Sequence, residues 1–106
     1  MTFKVDPEII NGFVKEVESY LPKLTQSLEE YRANPDHIES LEEAYRMVHC
    51  IRGAGSTIGL AALSRLAQYQ EDTLEQLLSG QIHWTDQAAV ILESATNRLG
   101  DYLHGI

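Results

Sequence analysis

Residues 38–60, IESLEEAYRMVHCIRGAGSTIGL, decide the fold of this 106-residue chain. The apolar residues of the first half recur at steps of three and four, which is the spacing of one face of an amphipathic helix. They are Ile38, Leu41, Ala44 or Tyr45, Val48 and Ile51. A capping pair, Asp36 and Glu39, predicts where this helix begins. The glycine-rich run of residues 53–59 ends it, so the chain turns there and another helix follows.

The segment before this stretch predicts one earlier helix. Asp6, Pro7 and Glu8 supply an N-cap, a proline at the first helical position and an acid near the positive helix end. One apolar stripe follows: Ile10, Phe13, Val17, Leu21, Leu24, Leu28 and Tyr31. Pro22 lies inside this stripe and removes a helix hydrogen bond. We therefore expect the first helix to be kinked, or split, near residues 19–21.

The segment after residue 60 predicts two more helices. The inward positions of the third are Leu63, Leu66, Gln70 or Tyr69, Leu74, Leu77 and Leu78, and Gly80 ends it as a C′ residue. Thr85 caps the fourth, and Trp84 before it either staples that cap or fills the core. The inward positions of the fourth are Ala88, Ile91 or Leu92, Ala95, Leu99, and Tyr102 or Leu103. Short connections favour antiparallel neighbours, so residues 1–106 are expected to form a single all-α domain, an antiparallel up-down four-helix bundle.

Composition excludes several classes of function. The net charge is -8, from eight Lys and Arg against sixteen Asp and Glu, which argues against nucleic acid or a membrane surface as the partner. No apolar run is long enough to span a bilayer, and the first residues lack a secretory signal. Cys50 is the single cysteine, so no internal disulfide forms. His37, His83 and His104 are scattered without metal-ligand spacing. We expect a cytoplasmic domain without a metal.

Charge is distributed unevenly along the chain. Residues 44–70 contain no acid but include Arg46, Arg52 and Arg65, so this window carries +3 and the rest of the chain carries -11. One interpretation is a largely buried helix hairpin, from which acids are absent for that reason. The other is a surface for an anion or an acidic partner. Under the second interpretation, the partner-binding residues are the three arginines, Tyr45 and Gly53.

His49 lies in the middle of this window. Each residue turns a helix by about 100 degrees, so His49 is rotated from the inward Val48 toward solvent. Gly53 follows one turn later and costs about 1 kcal/mol relative to Ala if the helix continues through it. Such a glycine lets another molecule approach His49 closely. Alternatively, the helix ends at Arg52 and Gly53 is its cap.

The predicted hairpin also brings Glu71 close to His49. If the second and third helices fold back at a turn near Gly59, His49 and Glu71 lie at the same level. Glu71 then accepts a hydrogen bond from one imidazole nitrogen, which fixes the tautomer and leaves the other nitrogen unprotonated and nucleophilic. Gln68 lies one turn earlier on the same face. The alternative is that Glu71 lies on a solvated face, as most glutamates do.

The segment from His49 to Gly59, HCIRGAGSTIG, resembles the signature of histidine phosphotransfer (HPt) domains. The resemblance extends over nearly the whole chain, which is most similar to the N-terminal phosphotransfer domain of CheA-type chemotaxis histidine kinases. The resemblance implies that His49 is the phosphoryl-accepting residue and that Arg52 neutralises phosphoryl charge where the family usually has Lys. Gly53 and Gly59 match the motif glycines.

Two positions of the third helix also match the CheA-type pattern. Glu71 lies where these domains have the glutamate that hydrogen-bonds the imidazole. Gln68 stands where they often have a second histidine, so it is expected to contribute only from behind the reacting groups. The resemblance therefore assigns the same imidazole-orienting role to Glu71 as the hairpin geometry does.

The function implied by the resemblance is phosphoryl transfer through a phosphohistidine. A separate histidine kinase catalytic domain supplies ATP and Mg²⁺, and an aspartate of a response-regulator receiver domain takes the phosphoryl group from His49. The chain itself is expected to hold no cofactor, to be a monomer, and to be the N-terminal module of a longer CheA-like kinase that serves chemotaxis or motility. The alternative is a non-catalytic helical interaction module in which His49 is not phosphorylated.

Overall fold

Four α-helices make up the secondary structure of residues 7–105, the part of the chain that the computed structural model describes. They are α1 (Pro7–Ala33), α2 (Ile38–Thr57), α3 (Ala61–Leu78) and α4 (Asp86–His104). Helices α2 and α4 each pack against both α1 and α3. This closes a ring of four neighbours and confirms the predicted four-helix bundle. The predicted N-cap, Asp6, lies outside the described residues.

Helix α1 is continuous across Pro22. Pro22 lacks the N–H that would bond to the carbonyl group of Glu18, but Glu18 is exposed, so water can bond to that carbonyl group instead. The lost hydrogen bond is therefore tolerated. The alternative of a split first helix does not occur.

The core is built from the inward stripes of all four helices. Its largest fully buried apolar side chains are Leu24, Leu41, Ile51, Leu63, Leu74, Leu92 and Leu99. Of the paired alternatives in the sequence pattern, Ala44, Gln70, Leu92 and Leu103 are the buried members. Trp84 packs its ring edge-on to Tyr31, with centroids 4.9 Å apart, and so extends the core.

The prediction that Ile38 is buried is wrong, because its side chain is exposed. The inward direction of α2 is centred on Ala44, Val48 and Gly55, and Ile38 is rotated from it by about 100 degrees. Met47, which the sequence analysis did not select, is buried instead.

The start of α2 also differs from the prediction. The residue before the helix is His37, without a side-chain cap bond to the backbone, so Asp36 is not the N-cap. The turn uses Asp36 differently: its backbone N–H donates to Asn34 Oδ1 at 3.3 Å. The cap of α4 is as predicted, since Thr85 Oγ1 accepts from the backbone N–H of Ala88 at 3.1 Å.

The glycine-rich run lies mostly inside α2. The helix continues past Gly53 to Thr57, so the alternative in which Gly53 caps the helix is wrong. Gly59 makes the turn, with φ +82°, and Gly80 ends α3 with φ +78°. Gly55 faces α3, where an added Cβ would lie 3.5 Å from both Leu63 and the backbone of Ser64. The α2–α3 hairpin therefore packs closely, and this fixes the relative heights of the residues on its two helices.

Candidate functional site

His49 stands on the outer face of α2, and its side chain is 55% exposed. The preceding residue, Val48, is fully buried and anchors this turn of the helix in the core. The Nδ1 atom of His49 lies 3.2 Å from Glu71 Oε1 on α3. The ring is thus held at one edge by the neighbouring helix while the rest of it faces solvent.

Glu71 is a buried carboxylate, with only 10% of its side chain exposed. A buried carboxylate is stable only when it has partners, and Glu71 has three. His49 Nδ1 and the Tyr45 hydroxyl, at 3.5 Å, both approach Oε1. Arg52 Nε lies 2.7 Å from Oε2 as an ion pair, although its N–H is not aligned for a hydrogen bond.

The contact with Glu71 selects one tautomer of His49. An ionised carboxylate only accepts hydrogen bonds, so the proton of this bond must be on Nδ1. In the neutral ring the lone pair is then on Nε2. None of the described residues bonds to Nε2. In this tautomer of the neutral ring, the site therefore presents an outward-facing imidazole nitrogen with a lone pair.

The ring of Tyr45 lies beside the imidazole in an offset stack. The two rings are nearly parallel, at 15°, with centroids 6.1 Å apart. Partial burial and the nearby carboxylates of Glu71 and Glu75 raise the pKa of Tyr45 above its ordinary value. The phenol therefore stays protonated and donates to Glu71. The sequence pattern predicts Tyr45 to be a partner-surface residue and gives no signal of this bond, although Tyr45 lies one turn before His49 on the same face.

The three arginines of the basic window do not form one patch. Arg46 is exposed and paired with Glu43 at 2.7 Å. Arg52 faces the site but is engaged by Glu71. Arg65 is exposed and lines a separate groove between α3 and α4. Only Arg46 and Arg52, which are three residues before and after His49, flank the imidazole.

The remaining predicted site residues lie in three different environments. Gln68 is exposed, and no hydrogen bond to it occurs within residues 7–105. Gly53 lies one turn after His49, and a Cβ added there would meet no atom within 4 Å, so its surface is open. Gly59 lies in the α2–α3 turn. The open surface at Gly53 therefore leaves room for a partner beside His49.

Two polar contacts that the sequence analysis missed support the site from behind. Ser64 Oγ donates to the backbone carbonyl of Arg52 at 3.2 Å and ties α3 to α2. The buried Gln70 Nε2 donates to Thr96 Oγ1 at 2.8 Å and ties α3 to α4. The sequence pattern marked Gln70 as an inward alternative to Tyr69, but a single glutamine gives no signal of its hydrogen-bond partner.

Within the described residues, no group of three or more His, Cys, Asp or Glu side chains is arranged to hold a metal ion. In the same part of the chain, no helix has the length and apolarity needed to cross a membrane.

Comparison with known proteins places the whole bundle among phosphotransfer domains. The profile of the Hpt domain family matches residues 8–103. The sensor histidine kinase CheAY of Helicobacter pylori is 33% identical over 82% of this chain and 11% of its own length. The chemotaxis protein CheA of Halobacterium salinarum is 28% identical over 74% of this chain and 12% of its own length. The chain thus spans about a tenth of the length of these curated relatives.

Solved structures show the same fold. The CheA phosphotransferase domain from Thermotoga maritima superposes with a TM-score of 0.90 at 24% identity, covering 96% of this chain and 97% of that one. A computationally redesigned four-helix bundle superposes with a TM-score of 0.88 at 17% identity, covering 92% and 96%. The second match shows that the bundle alone does not specify a function.

Proposed function

Since this chain belongs to the Hpt domain family, we propose that it carries phosphoryl groups on His49, between a histidine kinase and a response-regulator receiver domain. One observation supports this most directly. An exposed imidazole has its Nδ1 bound to the buried Glu71, which directs the Nε2 lone pair outward. A structural histidine has no need of that arrangement.

The proposed reaction begins with the lone pair of His49 Nε2. It attacks the γ-phosphorus of ATP, an N–P bond forms, and the bond to the bridging oxygen breaks so that ADP leaves with the electron pair. The ring then carries a positive charge, with its proton still on Nδ1. Glu71, 3.2 Å from that nitrogen, stabilises this charge.

The second transfer reverses the chemistry at nitrogen. A carboxylate oxygen of a receiver aspartate attacks the phosphorus, the N–P bond breaks, and its electron pair returns to Nε2. Arg46 and Arg52 flank the site and reduce the negative charge that builds up on the phosphoryl oxygens. Glu71 contacts Arg52 at Nε, and we expect the terminal guanidinium nitrogens of Arg52 to serve this role.

The partners follow from the same proposal. A kinase catalytic domain supplies ATP and Mg²⁺, a receiver domain takes the phosphoryl group, and the chain acts as a monomeric carrier without a cofactor of its own. The curated relatives are several times longer than this chain. We therefore also propose that the domain works as the N-terminal module of a longer CheA-like kinase in the cytoplasm, in chemotaxis or motility.

The test is ³¹P NMR of the purified chain after treatment with phosphoramidate, a small phosphohistidine donor. We expect an acid-labile phosphohistidine signal in the wild type and in His83→Gln, which removes another exposed histidine. The signal should be absent in His49→Gln. A wild type that stays unlabelled, while a known phosphotransfer domain is labelled in parallel, would instead support the interaction module without phosphorylation.

A further inference from the structure

A groove of about 590 Å³ runs between α3 and α4. Small side chains, Ala62 and Ala95, are among its lining residues and leave space between the two helices. Its walls and rim include Arg65, Leu66, Tyr69, Val90, Ile91 and Arg98. None of the residues that contact His49 lines the groove, so it is a separate feature of the surface.

The groove exposes apolar side chains that the fold itself does not need at the surface. Tyr69 is 60% exposed and Val90 is 55% exposed, and they are among the few large hydrophobic residues exposed in the described part of the chain. Isolated exposed apolar residues are ordinary, but apolar residues grouped along one concave surface are typical of binding sites. Covering them would remove apolar surface from water.

The charges at the rim indicate the chemistry of what binds there. Arg32, Arg46 and Arg52 each form an ion pair with a carboxylate of this chain. Across residues 7–105, Arg65 and Arg98 are the two arginines for which no ion pair occurs. Both unpaired guanidinium groups thus border the apolar groove, in a chain whose net charge is -8.

The two arginines lie at the same end of the groove. Gln70 bonds to Leu92 and Thr96 across the antiparallel α3–α4 pair, which places Arg65 level with Arg98 on the opposite wall. Tyr69 and Val90 lie farther along. The surface is therefore cationic at one end and apolar beyond it.

We propose that this groove binds an amphipathic helix of a partner protein, with an apolar face and with glutamate or aspartate side chains at one end. The apolar face lies between Tyr69 and Val90, and the carboxylates bond to Arg65 and Arg98, as guanidinium forks readily do. Along α4, from Arg98 to Val90, the groove is about 12 Å long, so about two turns of the partner helix contact it.

A second copy of this chain fits the groove poorly. A two-fold interface brings the same surface of both copies together. With matching ends together, Arg65 and Arg98 of both copies meet, and like charges at an interface are unfavourable. With the ends reversed, no carboxylate meets the two guanidinium groups, because the groove lining contains no Asp or Glu. Charge complementarity instead favours an acidic partner.

The test uses a synthetic helical peptide of about four turns, covalently stapled because short helices are marginal in water. It has leucines along one face and three glutamates at one end. Fluorescence anisotropy measures its affinity for the intact chain, and ¹⁵N chemical shifts map where it binds. We expect saturable binding with shifts centred on Leu66, Tyr69 and Val90, and weaker binding of a peptide whose glutamates are replaced by glutamines.

The charge requirement is tested with two double variants that change the net charge equally. Arg65→Glu/Arg98→Glu should weaken peptide binding at least about tenfold, since it removes both guanidinium groups. Lys15→Glu/Lys23→Glu, at exposed positions of α1, should leave it unchanged. Circular dichroism melting checks that both variants fold.

Three results would overturn the proposal. They are an absence of saturable binding, an affinity that the arginine variant leaves unchanged, and self-association of the chain that Val90→Asp abolishes. The last would show that a second copy occupies the groove. None of these results depends on phosphorylation of His49, so this proposal and the phosphotransfer function can fail independently.

Discussion

At the scale of single residues, the site depends on one carboxylate with three partners. Glu71 contacts His49 Nδ1 and the Tyr45 hydroxyl through Oε1, and it contacts Arg52 through Oε2. Removing its charge therefore affects the tautomer of His49 and also frees Arg52 from its ion pair. At metal sites, residues that hydrogen-bond the ligating histidines contribute one to two orders of magnitude to activity, and we expect a comparable contribution from Glu71.

Glu71→Gln should slow phosphorylation of His49 by about 10- to 100-fold, because the amide no longer fixes the proton on Nδ1 or stabilises a positive ring. Glu75→Gln, one turn away and exposed, is the matched control and should keep the wild-type rate. The rate of labelling by phosphoramidate measures both variants, and ¹⁵N NMR of the imidazole reports the tautomer. Equal rates in the two variants would show that Glu71 has no orienting role.

Titration of Tyr45 makes the fold less stable at high pH. Its pKa is raised by partial burial and by the carboxylates of Glu71 and Glu75, so the folded chain keeps the proton when the unfolded chain has lost it. Between the ordinary pKa near 10 and the higher folded value, the unfolded state binds fewer protons. The free energy of unfolding must then fall as pH rises above 10.

Tyr45→Phe should reduce this loss of stability above pH 10, because the phenylalanine ring does not titrate. Urea denaturation at a series of pH values from about 9 to 11 measures the effect. The hydroxyl of Tyr20 on α1 donates to Glu16, and this bond raises the pKa of Tyr20 as well. The variant Tyr20→Phe therefore measures how much of the pH slope comes from Tyr20. A pH slope unchanged by Tyr45→Phe would contradict the assignment.

At the scale of elements, the α2–α3 hairpin determines which residues meet. Three glycines contribute in different ways: Gly53 leaves open surface, Gly55 allows close packing, and Gly59 makes the turn with φ +82°. The turn sets His49 level with Glu71, and the packing brings their helices close enough for the bond. Substitutions at Gly53 and Gly59 should therefore have opposite effects.

Gly53→Ala should stabilise the fold by up to about 1 kcal/mol, because it lies inside α2 with free space for a Cβ. Gly59→Ala should destabilise it by about 1–2 kcal/mol, because alanine is strained at a positive φ. Urea denaturation midpoints measure both. If Gly53 is present to let partners approach His49, the more stable Gly53→Ala chain should also transfer phosphoryl groups to a receiver domain more slowly.

At the scale of the whole molecule, the hydrophobic spacing was sufficient to predict the bundle. Stripes at steps of three and four identified all four helices, and antiparallel order followed from short connections. The spacing did not show that Ile38 would be exposed or that Pro22 would be accommodated. Both depend on rotation and on solvent around a helix, which a linear pattern does not contain.

Only the part of the site that backbone geometry determines could be predicted from the sequence. The level pairing of His49 with Glu71 follows from the position of a turn. The engagement of Arg52 by Glu71 and the separation of Arg65 depend on where long side chains reach and on which groove each helix face borders. Counting charges along the sequence joined three arginines that the structure separates, because neighbours in a window need not share a surface.

The molecule is a rod, 46 Å long and 24 × 20 Å across, and His49 projects from its side. An imidazole on a convex surface lies in no cleft that could exclude a partner protein by size. Any partner that binds the ring must therefore supply a concave surface, and that surface also contacts the side chains around the ring. Discrimination between correct and incorrect partners therefore depends on the side chains around His49. These can change during evolution while the imidazole stays the same.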